Sequence, residues 1–151
     1  MVNQFIYRLA KPSDLPNLLQ ASIGNDGVVL DAGLLPKLLE NDKIYCAVCG
    51  DEVVALLYWQ EDFLTRKDVW FLSQITTKPS WRKKSVAYNL LRSFFDYARS
   101  FGVKKIYFDI HSENKPSLNL FKKLGAIESG NINGFDDEIP EDNRIIFRVN
   151  L

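Results

Sequence analysis

The chain has 151 residues, of which 46% are hydrophobic and 13% aromatic. This size and composition predict one globular domain over residues 1–151 that buries about two thirds of its unfolded surface, and they exclude a disordered chain. Nineteen basic residues balance nineteen acids, so no overall positive field attracts nucleic acid or an anionic membrane. The longest apolar run, residues 53–59, is far below the ~20 residues of a membrane span, and the first residues lack a signal-peptide layout. We therefore expect a cytoplasmic protein with no membrane or nucleic-acid partner.

The first third of the chain predicts a strand over residues 4–9 and two short helices. Ser13 is expected to cap a helix that ends near Ile23, before the break at residues 24–27. Asp31 is expected to cap the second helix. Apolar residues recur at helical spacing in both, and the predicted faces are Leu15, Leu18, Leu19 and Ser22 in the first and Leu34, Leu35, Leu38 and Leu39 in the second.

Cys46 and Cys49 form a C-x-x-C motif, a spacing also seen in redox pairs and in half of a zinc site. The segment predicts a strand, in which residues three apart point to opposite faces, and the chain has no other cysteine. His111 is the only histidine, which excludes two-histidine zinc motifs. We expect two small buried thiols and no metal site.

The middle of the chain predicts three strands and then the longest helix. Their expected bounds are 43–49, 53–59, 68–77 and 85–101. Gly50, Asp51 and Glu52 between the first two strands are typical of a hairpin. The helix carries apolar residues every three or four positions, the last being Phe101, and Gly102 stands at the usual C-terminal glycine position.

The last third predicts a strand over residues 104–110, a helix and two closing strands over 126–132 and 144–150. Pro116 suits the first turn of the helix, and Gly125 is expected to end it. This order of elements predicts an α/β sandwich.

The junction between the third strand and the long helix, residues 77–87, is the clearest functional signal. A strand that turns directly into a helix leaves backbone N–H groups unpaired at the positive end of the helix dipole, which favours phosphate. The side chains of Arg82, Lys83 and Lys84 add charge, and the small residues Ser85 and Ala87 allow close approach. The alternative is an ordinary solvated basic surface.

The order of elements, this junction and the later segment 114–125 together resemble the GNAT superfamily of N-acetyltransferases over essentially the whole chain. The family turn reads Arg/Gln-x-x-Gly-x-Gly/Ala. Arg82 and Ala87 fit its ends, and Ser85 stands where glycine is usual. The second family signature is an Asn before a helix that ends in Tyr-x-x-Leu-Gly-Phe/Ala, and the matching residues are Asn114, Phe121, Leu124, Gly125 and Ala126.

The resemblance implies a mixed, mostly antiparallel α/β (α+β) sheet of about seven strands flanked by about four helices. It also implies acetyl-CoA as co-substrate, no metal, and direct attack of a primary amine on the thioester. Residues expected to contact the acyl-CoA are Ile75, Thr76, Thr77, Arg82, Lys83, Lys84, Ser85, Val86, Ala87, Asn114, Ser117 and Phe121. Among these residues, the backbone amides of residues 75–77 would polarise the thioester carbonyl of the acyl-CoA.

Two departures from the family pattern concern proton transfer. The tyrosine that usually serves as general acid is replaced by Phe121, and no carboxylate lies between Val69 and Thr76. Water, Tyr88 or Ser117 could supply the acid, because a thiolate is already a fair leaving group. Candidate bases are Glu61, Asp62, Asp109 and His111, and the last two share one strand face. A water chain to bulk solvent is the other exit for the amine proton.

The segment 125–143 has no lysine or arginine and six acids. In the family, the loop before the last strand borders the acceptor groove. We therefore expect Asp136, Asp137 and Glu138 to favour a cationic small-molecule or peptide amine, the alternative being a solvated acidic hairpin end. Three aromatic residues could line an apolar acceptor pocket or pack in the core, namely Trp59, Phe63 and Phe135.

Three functional classes stay open from the sequence. The first is an acetyl-CoA-dependent N-acyltransferase. The second is a non-catalytic acyl-CoA-binding module, which Phe121 favours. The third is an interaction domain on the same scaffold, which Ser85 favours. The oligomeric state is also open, a homodimer included.

Overall fold

The computed structural model describes residues 4–22, 32–133 and 143–151. The chain divides into two compact units. Unit 1 comprises Met1–Trp59 and Gln74–Tyr97, and unit 2 comprises Gln60–Ser73 and Ala98–Leu151.

The described residues form seven strands and four α-helices. In chain order these are β1 Phe5–Leu9, α1 Leu15–Ala21, α2 Leu35–Glu40, β2 Ile44–Cys49, β3 Glu52–Gln60, β4 Val69–Thr77, α3 Val86–Ser100, β5 Lys105–His111, α4 Lys115–Lys123, β6 Ile127–Ile132 and β7 Arg144–Asn150. The strand order in the sheet is β1-β2-β3-β4-β5-β7-β6. β4 and β5 pair in parallel, whereas the β1–β2, β2–β3, β5–β7 and β6–β7 pairs are antiparallel. The predicted mixed, mostly antiparallel sheet is confirmed.

The core of unit 1 forms where α1 and α2 pack on β2 and β3. Leu18 and Leu35 are fully buried there, together with Cys46 and Leu56. The helical spacing of the leucines therefore predicted the buried faces correctly, except that Leu34 precedes α2 and is 40% exposed. The second proposed cap, Asp31, and the first helix's expected end, Ile23, lie outside the described residues.

The prediction that Ser13 caps the first helix is wrong. Residues Pro12–Asp14 form a 3-10 turn, and the carboxylate of Asp14 accepts the backbone N–H of Lys11 at 2.6 Å. Arg8 donates to the same carboxylate at 2.7 Å. A charged hydrogen bond of this kind is stronger than a neutral serine cap, and Pro12 suits the first position of the turn.

The two strands flanking Gly50 and Asp51 pair as the predicted hairpin, with Cys49 opposite Glu52. The long helix is also confirmed, and Gly102 after it has a φ of +80°, in the left-handed region that glycine tolerates. Phe101, the last apolar residue of the predicted helical pattern, lies beyond α3, which ends at Ser100, and its ring is 62% exposed.

Both cysteines are free thiols. Burial raises the pKa of the Cys46 thiol to about 11, so this group stays protonated and unreactive at neutral pH. Cys49 is only half-buried, which corrects the expectation of two buried thiols; it is the last residue of its strand.

In unit 2, β5 alternates between half-buried and buried residues. The buried face meets α4, where the ring of Phe121 stacks on Phe108. Pro116 and Gly125 occupy the predicted ends of this helix. The described helices include none that is long and apolar enough to cross a bilayer.

Candidate functional site

The basic turn, residues 78–87, leads from the end of β4 to the start of α3 in unit 1. The backbone N–H of Lys78 donates to the Val54 carbonyl at 2.9 Å, and its ammonium pairs with Glu52 at 2.8 Å. That hydrogen bond holds the pKa of Glu52 below its ordinary value. Trp81 packs edge-on against Phe5, with ring centroids 5.6 Å apart. The turn is thus fixed to β3 and β1.

Two residues of the basic turn have left-handed backbone. The φ angles are +60° at Lys83 and +61° at Ser85, a conformation that costs about 1–2 kcal/mol for a residue other than glycine. Ser85 stands where the resemblance expects glycine. The structure supplies the physical reason for that preference, and Ser85 adopts the same conformation despite the strain.

Helix α3 begins with amides that have no intrahelical acceptor. The first helical hydrogen bond runs from the Asn89 N–H to the Ser85 carbonyl at 3.1 Å, so the N–H groups of Val86, Ala87 and Tyr88 precede it. The first turn of α3 contains no acid. This end of the helix therefore keeps its positive partial charge.

The cations of the basic turn are exposed beside these amides. Arg82 donates from Nε to the Thr77 carbonyl at 3.3 Å, and the Lys84 ammonium lies 6.0 Å from the centre of the Trp81 ring. Residues 75–77 of β4, which carry the amides expected to face the thioester, are half-buried. Unit 1 thus brings all the sequence-predicted residues between 75 and 87 together at one strand–helix junction.

In unit 2, Asn114 caps α4. Its Oδ1 accepts the backbone N–H of Ser117 at 3.3 Å, which is a typical capping bond. This contact fixes the side-chain amide and leaves its Nδ2 as a hydrogen-bond donor. Asn114 therefore has a structural role at the start of α4.

Phe121 is 3% exposed. Its ring stacks on Phe108 with centroids 3.9 Å apart, and Phe108 stacks in turn on Phe147 at 5.6 Å. Phe121 is a packing residue of this core, with no proton to donate.

Asp109 and His111 lie on the same face of β5, as the spacing predicted. Asp109 Oδ2 accepts from Arg144 Nη1 at 3.0 Å, and His111 Nδ1 accepts the backbone N–H of Glu113 at 3.1 Å. A neutral imidazole that accepts at Nδ1 carries its proton at Nε2. The accepting nitrogen of His111 and one oxygen of Asp109 are thus already engaged.

The remaining candidates are spread over the chain. Trp59 is 1% exposed and packs on Phe94 and Tyr97, so it belongs to the core. Phe63 packs on Phe71 and Tyr107 in unit 2. Glu61 and Asp62 are exposed, and Tyr88 and Ser117 are half-buried. Asp136, Asp137, Glu138 and Phe135 lie outside the described residues.

Two contacts that shape these sites were missed from the sequence. Glu52 and Lys78 are 26 positions apart, and Asp109 and Arg144 are 35 apart. Pairs so distant along the chain leave no periodic signal, since only the pairing of strands brings them together. In the part of the chain that the structure describes, no group of three or more His, Cys, Asp or Glu residues could hold a metal ion.

A family model described as the acetyltransferase (GNAT) family matches residues 15–126. The chain belongs to this family. GNAT acetyltransferases transfer acetyl groups from acetyl-CoA to an acceptor, so the match supports an acyltransferase in general and acetyl-CoA as its co-substrate.

Among curated proteins, the chain is similar to GCN5-related N-acetyltransferase 6, chloroplastic, of Arabidopsis thaliana, with 29% identity over 70 residues. The match covers 45% of this chain and only 24% of the length of that relative.

Solved structures show the fold. An acetyltransferase of the GNAT family from Bacillus cereus ATCC 10987 superposes with a TM-score of 0.84 and 20% identity, covering 97% of each chain. The ribosomal-protein-S18-alanine N-acetyltransferase of Escherichia coli has a TM-score of 0.82 and 14% identity, covering 97% of this chain and 94% of its own.

Proposed function

We propose that the protein transfers an acetyl group from acetyl-CoA to a primary amine by direct attack of the amine on the thioester. The observation that carries this proposal is the basic turn. Its left-handed residues, the amides that precede the first hydrogen bond of α3 and its three exposed cations form a donor set suited to two linked phosphate groups. The pyrophosphate of coenzyme A is such a group, so the residues present fit the co-substrate of the family.

Each part of the chain has a role in this proposal. The side chains of Arg82, Lys83 and Lys84 and the amides of residues 85–87 bind the pyrophosphate. Asn114, through Nδ2, and Ser117 bind the pantetheine arm. Acetyl-CoA supplies an activated thioester, and the amides of Ile75, Thr76 and Thr77 stabilise the negative charge that develops on its carbonyl oxygen.

Proton transfer is assigned to water. Phe121 has no ionisable group, and a thiolate with a solution pKa near ~8.5 leaves without strong acid assistance. Asp109 and His111 remain the candidate bases on β5, but their contacts with Arg144 and the Glu113 amide occupy accepting atoms of both. A water that accepts the amine proton is the simpler route.

The acceptor is proposed to be a cationic amine, small molecule or peptide, selected by Asp136, Asp137 and Glu138. Replacing all three by their amides should raise KM for a basic amine such as spermidine and leave KM for acetyl-CoA unchanged. Added salt should reproduce this effect in the unaltered protein, because it screens exposed charges. An equal rise in both KM values would contradict charge selection.

Calorimetry tests the phosphate assignment. Arg82→Ala should weaken CoA binding by about 1.5–3 kcal/mol, the range for a hydrogen bond to a charged group, or roughly 10- to 150-fold. Dephospho-CoA should lose the same binding affinity in this variant. Pantetheine, which lacks the pyrophosphate, should bind the variant and the unaltered protein equally well. Arg92→Ala, which removes a cation further along α3, is the matched control. CoA affinity within a factor of two of the unaltered protein would show that Arg82 does not bind the phosphate.

A second candidate function is acyl-CoA binding without turnover, and the packed ring of Phe121 in the usual place of a tyrosine favours it. Release of free thiol from acetyl-CoA during a screen of primary amines separates the two. Thiol release with any amine supports the transferase, and CoA binding with none supports the binding module.

A further inference from the structure

The hydrogen-bonded ladder between β4 and β5 ends early. The last paired residues are Phe71 and Tyr107, although β5 continues to His111. Parallel partners share a face of the sheet, so Ser73 and Asp109, each two residues beyond the last pair, also face the same side. The ring of Phe63 lies against both Phe71 and Tyr107, at 4.8 and 5.7 Å, which places that last pair on one side.

Ser73 carries a buried hydroxyl that has no hydrogen-bond partner among the described residues. Leaving such a group unpaired destabilises the fold, and an ordered water is the usual explanation. Across the end of the ladder, Arg144 Nη1 donates to Oδ2 of Asp109 at 3.0 Å, and a carboxylate has two oxygens that can accept further hydrogen bonds. A water there would find one partner on each strand.

We infer that Ser73 is a positioning residue for acetyl transfer, holding with Asp109 the water that removes the proton of the acceptor amine. This inference rests on the proposed function. It also accounts for β4 having no carboxylate between Val69 and Thr76, since the acid sits on the neighbouring strand and acts through water.

The proton balance is simple. The N–H bond of the acceptor ammonium breaks as an O–H bond forms on the water, and the water then releases a proton to bulk solvent. The Asp109 carboxylate stabilises the positive charge on the water between these two steps, and the Ser73 hydroxyl keeps the water in place. Neither residue is consumed, and no other reactant is needed.

Kinetics provide the first test, using acetyl-CoA and whichever primary amine of a screen releases thiol fastest. Ser73→Ala should lower kcat at least tenfold, since proton-transfer assistance is worth 10²–10⁴, with KM for acetyl-CoA unchanged. The rise of kcat/KM with pH should move to higher pH, towards the pKa of the free amine. Ser73→Thr keeps the hydroxyl and should stay within threefold, and Ser13→Ala, at an exposed serine, should have no effect.

The double variant Ser73→Ala/Asp109→Asn gives a sharper result. If both residues hold one water, the double variant should be no slower than the worse single variant. Losses that multiply, or a pH profile unchanged by Ser73→Ala, would overturn the inference.

A high-resolution crystal structure provides a test without activity. A water bridging Ser73 Oγ and Asp109 should appear in the unaltered protein and in Ser73→Thr, and should be absent in Ser73→Ala. No water in the unaltered protein, or the same water in Ser73→Ala, would overturn the inference. If no amine releases thiol, the proposed function fails by itself, and the crystal structures still decide whether the water site exists.

Discussion

The basic turn of unit 1 and the β5–α4 segment of unit 2 use different parts of the chain to build their sites. The basic turn presents backbone amides and exposed cations, and its shape is fixed by contacts of Lys78 and Trp81. The β5–α4 segment presents side chains that already have partners within the protein. Asp109 accepts a hydrogen bond from Arg144, and the ring of Phe121 stacks on Phe108. A binding site made of backbone amides would tolerate Ser85 in place of glycine, whereas acid catalysis by one side chain would be lost when a tyrosine is replaced by Phe121.

The largest effect should come from placing a negative charge in the basic turn. Ala87→Asp puts a carboxylate where the pyrophosphate is proposed to bind, so CoA affinity should fall at least 100-fold. An acid in the first turn of a helix is itself stabilising, so the melting temperature should not fall. Calorimetry with CoA and thermal unfolding measure the two effects, and Ala87→Asn is the uncharged control. Retained CoA binding would show that the anion site lies elsewhere.

The second test restores the missing hydroxyl in unit 2. Phe121→Tyr keeps the ring, and if its edge faces the thioester sulfur, kcat should rise at least tenfold at pH 7–8 with KM for acetyl-CoA unchanged. The reason is that the new hydrogen bond strengthens as charge grows on the sulfur.

The same variant can also show that the ring points elsewhere. A buried hydroxyl without a partner costs about 1–3 kcal/mol. A lower melting temperature with no gain in rate would therefore mean that Phe121 only packs against Phe108. The control is Phe121→Leu, which removes the ring without adding a polar group and so measures the loss of stacking separately from the cost of the hydroxyl.

These two regions also differ in how well the sequence predicted them. The strand–helix junction is local, so the charges of Arg82, Lys83 and Lys84 and the helical spacing after them were enough to place it. The order of elements likewise predicted an α/β sandwich, and the resemblance to the GNAT superfamily implied the mixed sheet. What the sequence could not give was the partner of each side chain: the pairings of Glu52 with Lys78 and of Asp109 with Arg144 depend on strand register. The Ser13 cap failed for a related reason, since Arg8 on β1 strengthens the competing carboxylate of Asp14.

A smaller effect is expected from relieving the backbone strain in the basic turn. Ser85→Gly should stabilise the protein by about 1 kcal/mol, because glycine adopts a φ of +61° without a steric penalty. For a chain of this size that is a rise of about 2–4 °C in melting temperature, with CoA affinity kept or improved. Ser80→Gly, at a residue of the 3-10 turn before Arg82, should instead destabilise the protein through added chain entropy. A loss of CoA affinity in Ser85→Gly would indicate that the serine hydroxyl itself binds the ligand.

The smallest effect concerns the ion pair that fixes the basic turn to β3. The side chain of Glu52 is 44% exposed, so its pairing with Lys78 is worth at most about 1 kcal/mol. The variant Glu52→Gln should therefore weaken CoA binding no more than fivefold.

This effect should depend on pH. Because the hydrogen bond from Lys78 lowers the pKa of Glu52, the contribution of the ion pair to stability is fully present above the ordinary glutamate pKa of about 4.3. It is lost as the pH falls through the lowered value. The CoA affinities of the unaltered protein and of Glu52→Gln should therefore differ at pH 7 and converge at the acid end of the range in which the fold persists. The control is Asp51→Asn, which removes the same charge from the adjacent residue and should leave CoA affinity unchanged at every pH. The ion pair does not hold the turn if the difference in CoA affinity between Glu52→Gln and the unaltered protein stays the same on acidification.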